Sequence, residues 1–193
     1  MLVPRRQALK IIGQQHGQRR STGAALLRAF MRRSGISLAL AVLLVPVAVP
    51  ASSGLAGQPA PDFALKSSAG TNLRLSEYRG QVVLVSFWAQ WCNRCSEQLA
   101  MLRDLQHRFG DANLRILAVN IDTDDQPARD AAKRLGITIL HDADQSVVRE
   151  YDPSVLPFAV LVDPHGTVRQ VHAGYRAEDA TTYTDELAAL ILE

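Results

Sequence analysis

The pattern of apolar and polar positions beyond the first third of the chain predicts strands that alternate with helices. Residues 82–88, Val-Val-Leu-Val-Ser-Phe-Trp, form a continuous apolar run rich in β-branched side chains, which is typical of a strand buried on both faces of a sheet. Apolar residues then recur at helical spacing at Leu99, Leu102 and Leu105, and Gly110 follows, where a helix can end. The pattern therefore predicts a central strand followed directly by a helix.

The remaining elements follow from the same kind of pattern. Two short segments around a Ser-Ser-Ala-Gly turn predict a β-hairpin at 62–65 and 72–75. Further strands are predicted at 114–121, near 139–140, at 158–162 and at 167–172, and helical segments at 127–135, 144–151 and 178–192. This order of elements predicts the α/β class, as a three-layer α/β/α sandwich with a central mixed sheet and an N-terminal β-hairpin.

Charge divides the chain into two unlike parts. Residues 1–57 contain eight of the 21 basic residues and none of the 19 acidic residues. The net charge of +2 is therefore the sum of +8 on residues 1–57 and −6 on residues 58–193. Residues 58–193 have the length of one domain. Because this domain is mildly acidic, it offers no basic surface to nucleic acid, and we predict no nucleic-acid partner.

Residues 1–57 are predicted to be a basic leader with a signal peptide or a membrane anchor. Met31 begins a compact positive segment, residues 36–50 are apolar, and small residues follow, which is the three-part form of a secretory signal. Met31 is also a candidate for the true start of the chain. A cleaved signal is favoured over an uncleaved anchor, because the apolar stretch is shorter than the ~20 residues that span a bilayer. We therefore expect a periplasmic or otherwise extracytoplasmic protein.

The chain has only two cysteines, Cys92 and Cys95, and they follow the predicted 82–88 strand with two residues between them. A disulfide ring this small restrains little entropy of the unfolded chain, so the pair suits redox exchange better than structural cross-linking. At the start of a helix, Cys92 faces unpaired N–H groups and the positive end of the helix dipole, which favour the reactive thiolate. We therefore predict Cys92 as the nucleophile and Cys95 as the partly covered resolving thiol.

A zinc site is the main alternative use of such a cysteine pair. A closed zinc site needs about four ligands, and the sequence contains no second C-x-x-C and no pair of histidines at metal-binding spacing. We therefore predict no metal and no cofactor beyond the redox-active disulfide of Cys92 and Cys95. A copper-binding module that uses these thiols with His172 stays open as an alternative, with Met101 as the one methionine close to the pair.

The domain resembles the TlpA/ResA type of thiol–disulfide oxidoreductases, which are secreted proteins with a thioredoxin fold. The resemblance covers residues 57–192 and includes Ala-Pro-Asp-Phe at 60–63, the segment 75–80, and the strand that leads into Trp-Cys at 82–92. The segment 120–157 resembles the central insertion that distinguishes this group from plain thioredoxin. The resemblance implies a thioredoxin-like sandwich and an enzyme that exchanges disulfides with protein substrates.

The resemblance also implies roles for residues outside the cysteine pair. Leu156-Pro157 stands where the family carries a cis-proline beside the disulfide, so the Leu156 backbone is expected to pair with substrate and Pro157 to lie against the sulfur atoms. Trp91 is expected to shape and shield the substrate site. The expected partners are protein thiols and disulfides, with cytochrome c maturation or general disulfide upkeep as the setting, and a membrane-bound thiol reductase as electron donor. We expect a monomer.

Three positions depart from the family pattern. Arg94 replaces a proline before the second cysteine. Its charge favours the Cys92 thiolate and so makes the disulfide more oxidising, or else its side chain points into solvent and has little effect. Gln98 replaces a glutamate that some relatives use as an acid/base, and Ala100 replaces a helix-kinking proline, so the helix after Cys95 is expected to be straighter. Separately, Ser86 stands where thioredoxin itself has a buried acid. We therefore expect no proton relay through Gln98.

The predicted function is that of a thiol–disulfide oxidoreductase in the bacterial cell envelope, and a reductant is favoured over an oxidising disulfide donor. A peroxidase of the peroxiredoxin kind is a further alternative with the same fold. It requires threonine and proline ahead of its reactive cysteine, whereas Ala89, Gln90 and Trp91 precede Cys92 in this chain. The sequence therefore favours disulfide exchange.

Overall fold

The computed structural model of this chain describes residues 54–110 and 113–193. The predicted signal peptide or anchor lies outside these residues, together with its apolar stretch 36–50 and Met31. Among the described residues, no helix has the length and apolar character needed to cross a membrane.

The described residues form seven strands and four α-helices, and each lies where the sequence pattern predicts it, within two residues at each end. The strands are β1 (Ala64–Ser67), β2 (Asn72–Arg74), β3 (Val82–Trp88), β4 (Leu114–Asn120), β5 (Thr138–His141), β6 (Phe158–Val162) and β7 (Val168–Ala173). The helices are α1 (Cys95–Phe109), α2 (Gln126–Leu135), α3 (Ser146–Tyr151) and α4 (Asp179–Ile191), and a 3-10 turn covers Leu75–Tyr78.

The first strand of the hairpin begins at Ala64 rather than at Asp62. The Asp62 carboxylate instead accepts hydrogen bonds from the backbone N–H and the hydroxyl of Ser76 and pairs with Arg74. Burial works to raise the pKa of Asp62, but these hydrogen bonds outweigh it and hold the pKa below its ordinary value. Asp62 therefore ties the entry of the hairpin to the 3-10 turn instead of extending the strand.

The strands form one mixed sheet in the order β2-β1-β5-β4-β3-β6-β7. The central strands β3, β4 and β5 are parallel to one another. At one end of the sheet β6 runs antiparallel to β3, and β7 runs antiparallel to β6. All seven residues of β3 are buried, because helices or loops cover both faces of the sheet at this point. The prediction of a mixed sheet with an N-terminal hairpin is confirmed.

The two faces of the sheet carry separate apolar cores. One core packs α1, α2 and α4 against the sheet, and the other packs α3 and the segment that precedes β1 against the opposite face. Side chains alternate between these cores along β3, with Leu84 in the first and Val85 in the second. The three-layer arrangement predicted from the sequence is therefore confirmed, and it places the N-terminus of α1 directly after the end of β3.

Candidate active site

The cysteine pair lies at the junction of β3 and α1. A disulfide joins Cys92 and Cys95, with their Sγ atoms 2.03 Å apart and their Cα atoms 5.4 Å apart. Two backbone hydrogen bonds fold the chain tightly here, from Cys92 N–H to the Ala89 carbonyl and from Cys95 N–H to the Cys92 carbonyl. The turn places Cys92 just before the helix and Cys95 at its first residue, so the disulfide lies at the N-terminal end of α1, where the helix dipole is positive.

The two sulfur-bearing residues differ in their access to solvent. Cys95 is only 1% exposed and belongs to the apolar core under α1, whereas Cys92 is half-buried at the edge of that core. An incoming thiolate or disulfide therefore reaches Cys92 first. This difference is the one on which the predicted roles of nucleophile and resolving thiol depend.

A groove of about 590 Å³ lies beside Cys92. It is bounded on one side by the residues around the disulfide and on the other by the loop before β6; its lining residues include Trp91, Arg94, Ile121, Pro153, Val155 and Leu156. Trp91 is 69% exposed and Val155 is 48% exposed, which is unusual for side chains of their size. The groove therefore presents apolar surface next to the reactive sulfur.

The loop before β6 brings Leu156 and Pro157 to the same place. The Leu156–Pro157 peptide bond is cis. Leu156 lines the groove, and among the described residues its N–H and carbonyl groups form no backbone hydrogen bond. Pro157 is buried, is not among the residues that line the groove, and accepts a hydrogen bond from the N–H of Gly174 at 2.8 Å.

Arg94 stands at the N-cap of α1, exposed at the rim of the groove. Its guanidinium donates to both carboxylate oxygens of Glu97, at 3.0 and 3.3 Å. Both side chains are about half exposed, so this ion pair contributes little to stability. The Arg94 guanidinium thus has the Glu97 carboxylate as its partner, and the predicted tuning of Cys92 by Arg94 stays a prediction.

A buried polar network lies one helical turn beyond Cys95. Ser86 in β3 donates a 2.6 Å hydrogen bond to Gln98 Oε1, and Gln98 Nε2 donates a 3.0 Å hydrogen bond to the Tyr183 hydroxyl in α4. All three side chains are inaccessible to solvent. Burial raises the pKa of Tyr183, although the hydrogen bond from Gln98 works to lower it. The network is therefore neutral at physiological pH and holds α1 to the sheet and to α4.

The sequence analysis missed this connection and also missed Asp122. Asp122 Oδ2 accepts hydrogen bonds from the backbone N–H of Gln90 at 2.8 Å and from the Asn120 side chain at 2.7 Å. It thus fixes the loop two residues before Cys92 to the end of β4. Asp122 and Gln90 are 32 residues apart in the sequence. The sequence around the aspartates at 122–125 therefore gave no signal for this contact.

The described residues contain no group of three or more His, Cys, Asp or Glu side chains suited to a metal ion. His172 stacks on Tyr183 with ring centroids 4.2 Å apart, and its Nε2 lies 2.7 Å from Glu186 Oε2. The structure therefore does not group His172 with the two cysteines.

Comparison with known proteins supports the same kind of chemistry. Residues 56–171 match the model of the AhpC/TSA family. The thiol-disulfide oxidoreductase ResA of Geobacillus kaustophilus (strain HTA426) is 34% identical over 120 residues, which are 61% of this chain and 69% of that protein. The expected resemblance to the ResA type of oxidoreductase is confirmed.

Two solved structures share the fold. A candidate thiol:disulfide interchange protein DsbE from Chlorobium tepidum matches with a TM-score of 0.66 and 28% identity, covering 70% of this chain and 97% of its own. The pneumococcal exposed lipoprotein thioredoxin Etrx1 from Streptococcus pneumoniae strain TIGR4 matches with a TM-score of 0.55 and 25% identity, covering 65% of this chain and 98% of its own. Both matches agree with a thioredoxin-like sandwich.

Proposed function

This chain belongs to the AhpC/TSA family and is a thiol–disulfide oxidoreductase, and we propose that it reduces disulfides of other proteins in the bacterial cell envelope. The observation that carries the proposal is the unequal burial of the two cysteines: Cys92 lines the apolar groove, whereas Cys95 is 1% exposed. A protein disulfide that enters the groove meets Cys92, and Cys95 is held beside it to complete the exchange.

The proposed reaction is a two-step exchange that starts from the dithiol. The Cys92 thiolate attacks one sulfur of the substrate disulfide, forms a mixed disulfide with it, and releases the other substrate sulfur as a thiolate that takes up a proton. Cys95 then loses its proton and attacks Cys92 Sγ, which releases the second substrate thiol and forms the Cys92–Cys95 disulfide. Two electrons pass from the enzyme to the substrate in each cycle.

The apolar groove supports a polypeptide as the substrate. The side chains of Trp91 and Val155 offer contact area for apolar residues that flank a substrate cysteine. The free backbone groups of Leu156 are placed to pair with an extended chain, in the manner of an added strand. The candidate substrates include apocytochrome c, or proteins of the envelope in general.

The contact between Arg94 and Glu97 supports the reducing direction. A cation next to Cys92 stabilises the thiolate and so makes a disulfide more oxidising. Because Glu97 holds the guanidinium of Arg94, that stabilisation is smaller than for a free cation. A reductant needs its electrons replaced, and we propose a membrane-bound thiol reductase as the donor.

The envelope location is supported by the predicted signal sequence and by one structural relative. The pneumococcal protein similar to this chain is named an exposed lipoprotein, and ResA of Geobacillus kaustophilus is a relative of the same oxidoreductase type. The location is tested by expressing the tagged full chain in bacteria and separating the periplasm, membrane and cytoplasm. Recovery in the cytoplasm alone would contradict it.

The first experiment is to measure the equilibrium reduction potential of the Cys92–Cys95 pair in the purified full chain, against glutathione and dithiothreitol. A value near the thioredoxin level of about −270 mV supports the reductant, and a value near the DsbA level of about −120 mV supports an oxidising donor. Reduction of insulin by the same protein, with Cys92→Ser as the inactive control, tests exchange itself. Consumption of peroxide without insulin reduction would favour the peroxidase alternative instead.

A further inference from the structure

A second cavity, of about 350 Å³, reaches the disulfide from the side of α1 and α2. It shares only Cys92 and Asn93 with the apolar groove. Cys95 lines this second cavity but not the groove. Its other lining residues come from the end of β3, the first turns of α1 and the end of α2. Its volume is within the range of sites for small molecules and is too small for a folded partner.

The lining of this second cavity favours an anion. Of the described residues, Arg134 is the one charged residue that lines it, and no carboxylate among them does so. Within the described part of the chain, Arg134 forms no ion pair, and its Nε makes only a 3.4 Å hydrogen bond to the carbonyl of Asp130. Ser96 adds its hydroxyl and belongs to the first turn of α1, where N–H groups and the helix dipole attract negative charge.

Trp88 contributes to the wall of the cavity and is only 4% exposed. Its indole N–H has no acceptor among the described residues and is covered by protein atoms, so a molecule in the cavity contacts other atoms of Trp88 rather than this N–H. Trp88 therefore shapes the cavity without donating a hydrogen bond to its occupant.

We infer that the second cavity binds an anionic thiol of low molecular weight, whose carboxylate pairs with Arg134 while its sulfur exchanges with Cys92. The inference rests on the proposed exchange function and adds a second class of reactant to it. Protein substrates enter by the apolar groove, and the small thiol occupies the polar cavity on the other side of the same sulfur atom.

The small thiol reduces the Cys92–Cys95 disulfide in two steps. Its thiolate attacks Cys92 Sγ, the Cys92–Cys95 bond breaks, and Cys95 leaves as a thiolate that takes up a proton. A second molecule of the small thiol attacks the resulting mixed disulfide and releases Cys92 as a thiolate. Two thiols are thereby oxidised to one small-molecule disulfide, and the Cys92–Cys95 disulfide is reduced to the dithiol.

The test compares the reduction rates of the oxidised full chain by glutathione, which carries carboxylates, and by 2-mercaptoethanol, which carries none. Arg134→Ala is expected to lower the rate constant for glutathione by about threefold to tenfold, since it removes one exposed charge-assisted contact, and to leave the rate constant for 2-mercaptoethanol unchanged. Lys133→Ala is the matched control, because Lys133 is the neighbouring cation on α2 but does not line the cavity. It is expected to change neither rate.

Two further measurements separate the possible outcomes. Ser96→Ala removes the hydroxyl that lines the cavity, and it is expected to lower the ratio of the glutathione rate constant to the 2-mercaptoethanol rate constant, as Arg134→Ala does. An unchanged ratio in Arg134→Ala would overturn the inference. If Arg134→Ala slowed insulin reduction as much as it slowed the reaction with glutathione, the inference would also be overturned, because Arg134 would then act on the protein substrate. Absence of exchange with every thiol in the unmodified protein would instead contradict the proposed function.

Discussion

Gln98 and Tyr183 are joined by a 3.0 Å hydrogen bond, although 85 residues separate them in the sequence. The Gln98 amide also accepts from Ser86, so an amide and two hydroxyl groups satisfy one another beneath the first turns of α1. The resemblance noted in the sequence analysis implies a glutamate at the position of Gln98 in some relatives and a buried acid at the position of Ser86 in thioredoxin itself. In this chain they form a neutral link between three elements of the core, which supports the turn that carries the cysteines.

Removal of the Tyr183 hydroxyl is expected to destabilise the domain. In Tyr183→Phe, the Gln98 Nε2 group loses its buried acceptor, and we expect the free energy of unfolding to fall by about 1–2 kcal/mol. Tyr175→Phe is the control, because Tyr175 packs in the same core and its hydroxyl forms no hydrogen bond with the described residues. Urea denaturation measures both. Equal losses in the two variants would show that the hydrogen bond is not the cause.

Stability is expected to decrease at alkaline pH. Burial raises the pKa of Tyr183 and of Tyr151 above the ordinary tyrosine value of 10.0. The folded state therefore keeps protons that the unfolded state loses above about pH 10, so the contribution of these tyrosines is complete below pH 10 and falls as the pH rises further. Denaturation midpoints between pH 8 and pH 11 measure the slope. Tyr183→Phe is expected to have a shallower slope than the unmodified protein.

Loss of Cys95 is expected to trap the reaction halfway. In Cys95→Ala, Cys92 still attacks a substrate disulfide, but no thiol follows to release the product, so a mixed disulfide accumulates. Non-reducing electrophoresis and mass spectrometry after mixing with oxidised insulin detect the adduct. Cys92→Ala is the matched control and is expected to give no adduct, because Cys95 is buried. Adduct formation by Cys92→Ala alone would reverse the assigned roles.

Trp91 is expected to affect substrate binding more than the chemical step. Because Trp91 is 69% exposed and lines the groove, Trp91→Ala removes contact area for the substrate with little change in stability. We expect KM for insulin to rise about threefold to tenfold, with kcat within twofold, as for the loss of an interaction of about 1 kcal/mol. Leu192→Ala removes an exposed apolar side chain at the far end of α4 and serves as the control.

Asp122 is expected to position the loop before Cys92. Asp122→Ala leaves the N–H of Gln90 and the amide of Asn120 without their acceptor, and we expect about 1–2 kcal/mol of lost stability together with a several-fold slower exchange with insulin. Asp124→Ala is the control, since among the described residues Asp124 accepts a hydrogen bond only from the N–H of Gln126 at the start of α2. If both variants exchanged more slowly with insulin, the cause would be the loss of a negative charge from the loop rather than the loss of the contact between Asp122 and Gln90.

Local patterns in the sequence predicted most of the fold. The apolar run of β3, the helical spacing after Cys95 and the glycines and prolines between elements depend on neighbouring residues, so they can be read without knowing the tertiary structure. The cysteine pair is local in the same sense, because a C-x-x-C at a strand-to-helix junction contains its own chemistry. The sequence thus determined the order of the elements and the fold class, and it located the cysteine pair on which the proposed chemistry depends.

The surroundings of those residues were decided by tertiary structure alone. The contacts of Gln98 with Tyr183 and of Asp122 with Gln90 join positions far apart in the chain, and Arg134 and Trp88 share a cavity wall because α2 ends beside α1. Single residues such as these carry no periodic signal, and their partners are fixed by the sheet order and by which helices share a face. Pairing across the fold therefore set the groove, the second cavity and the buried network around a disulfide that the sequence had already identified.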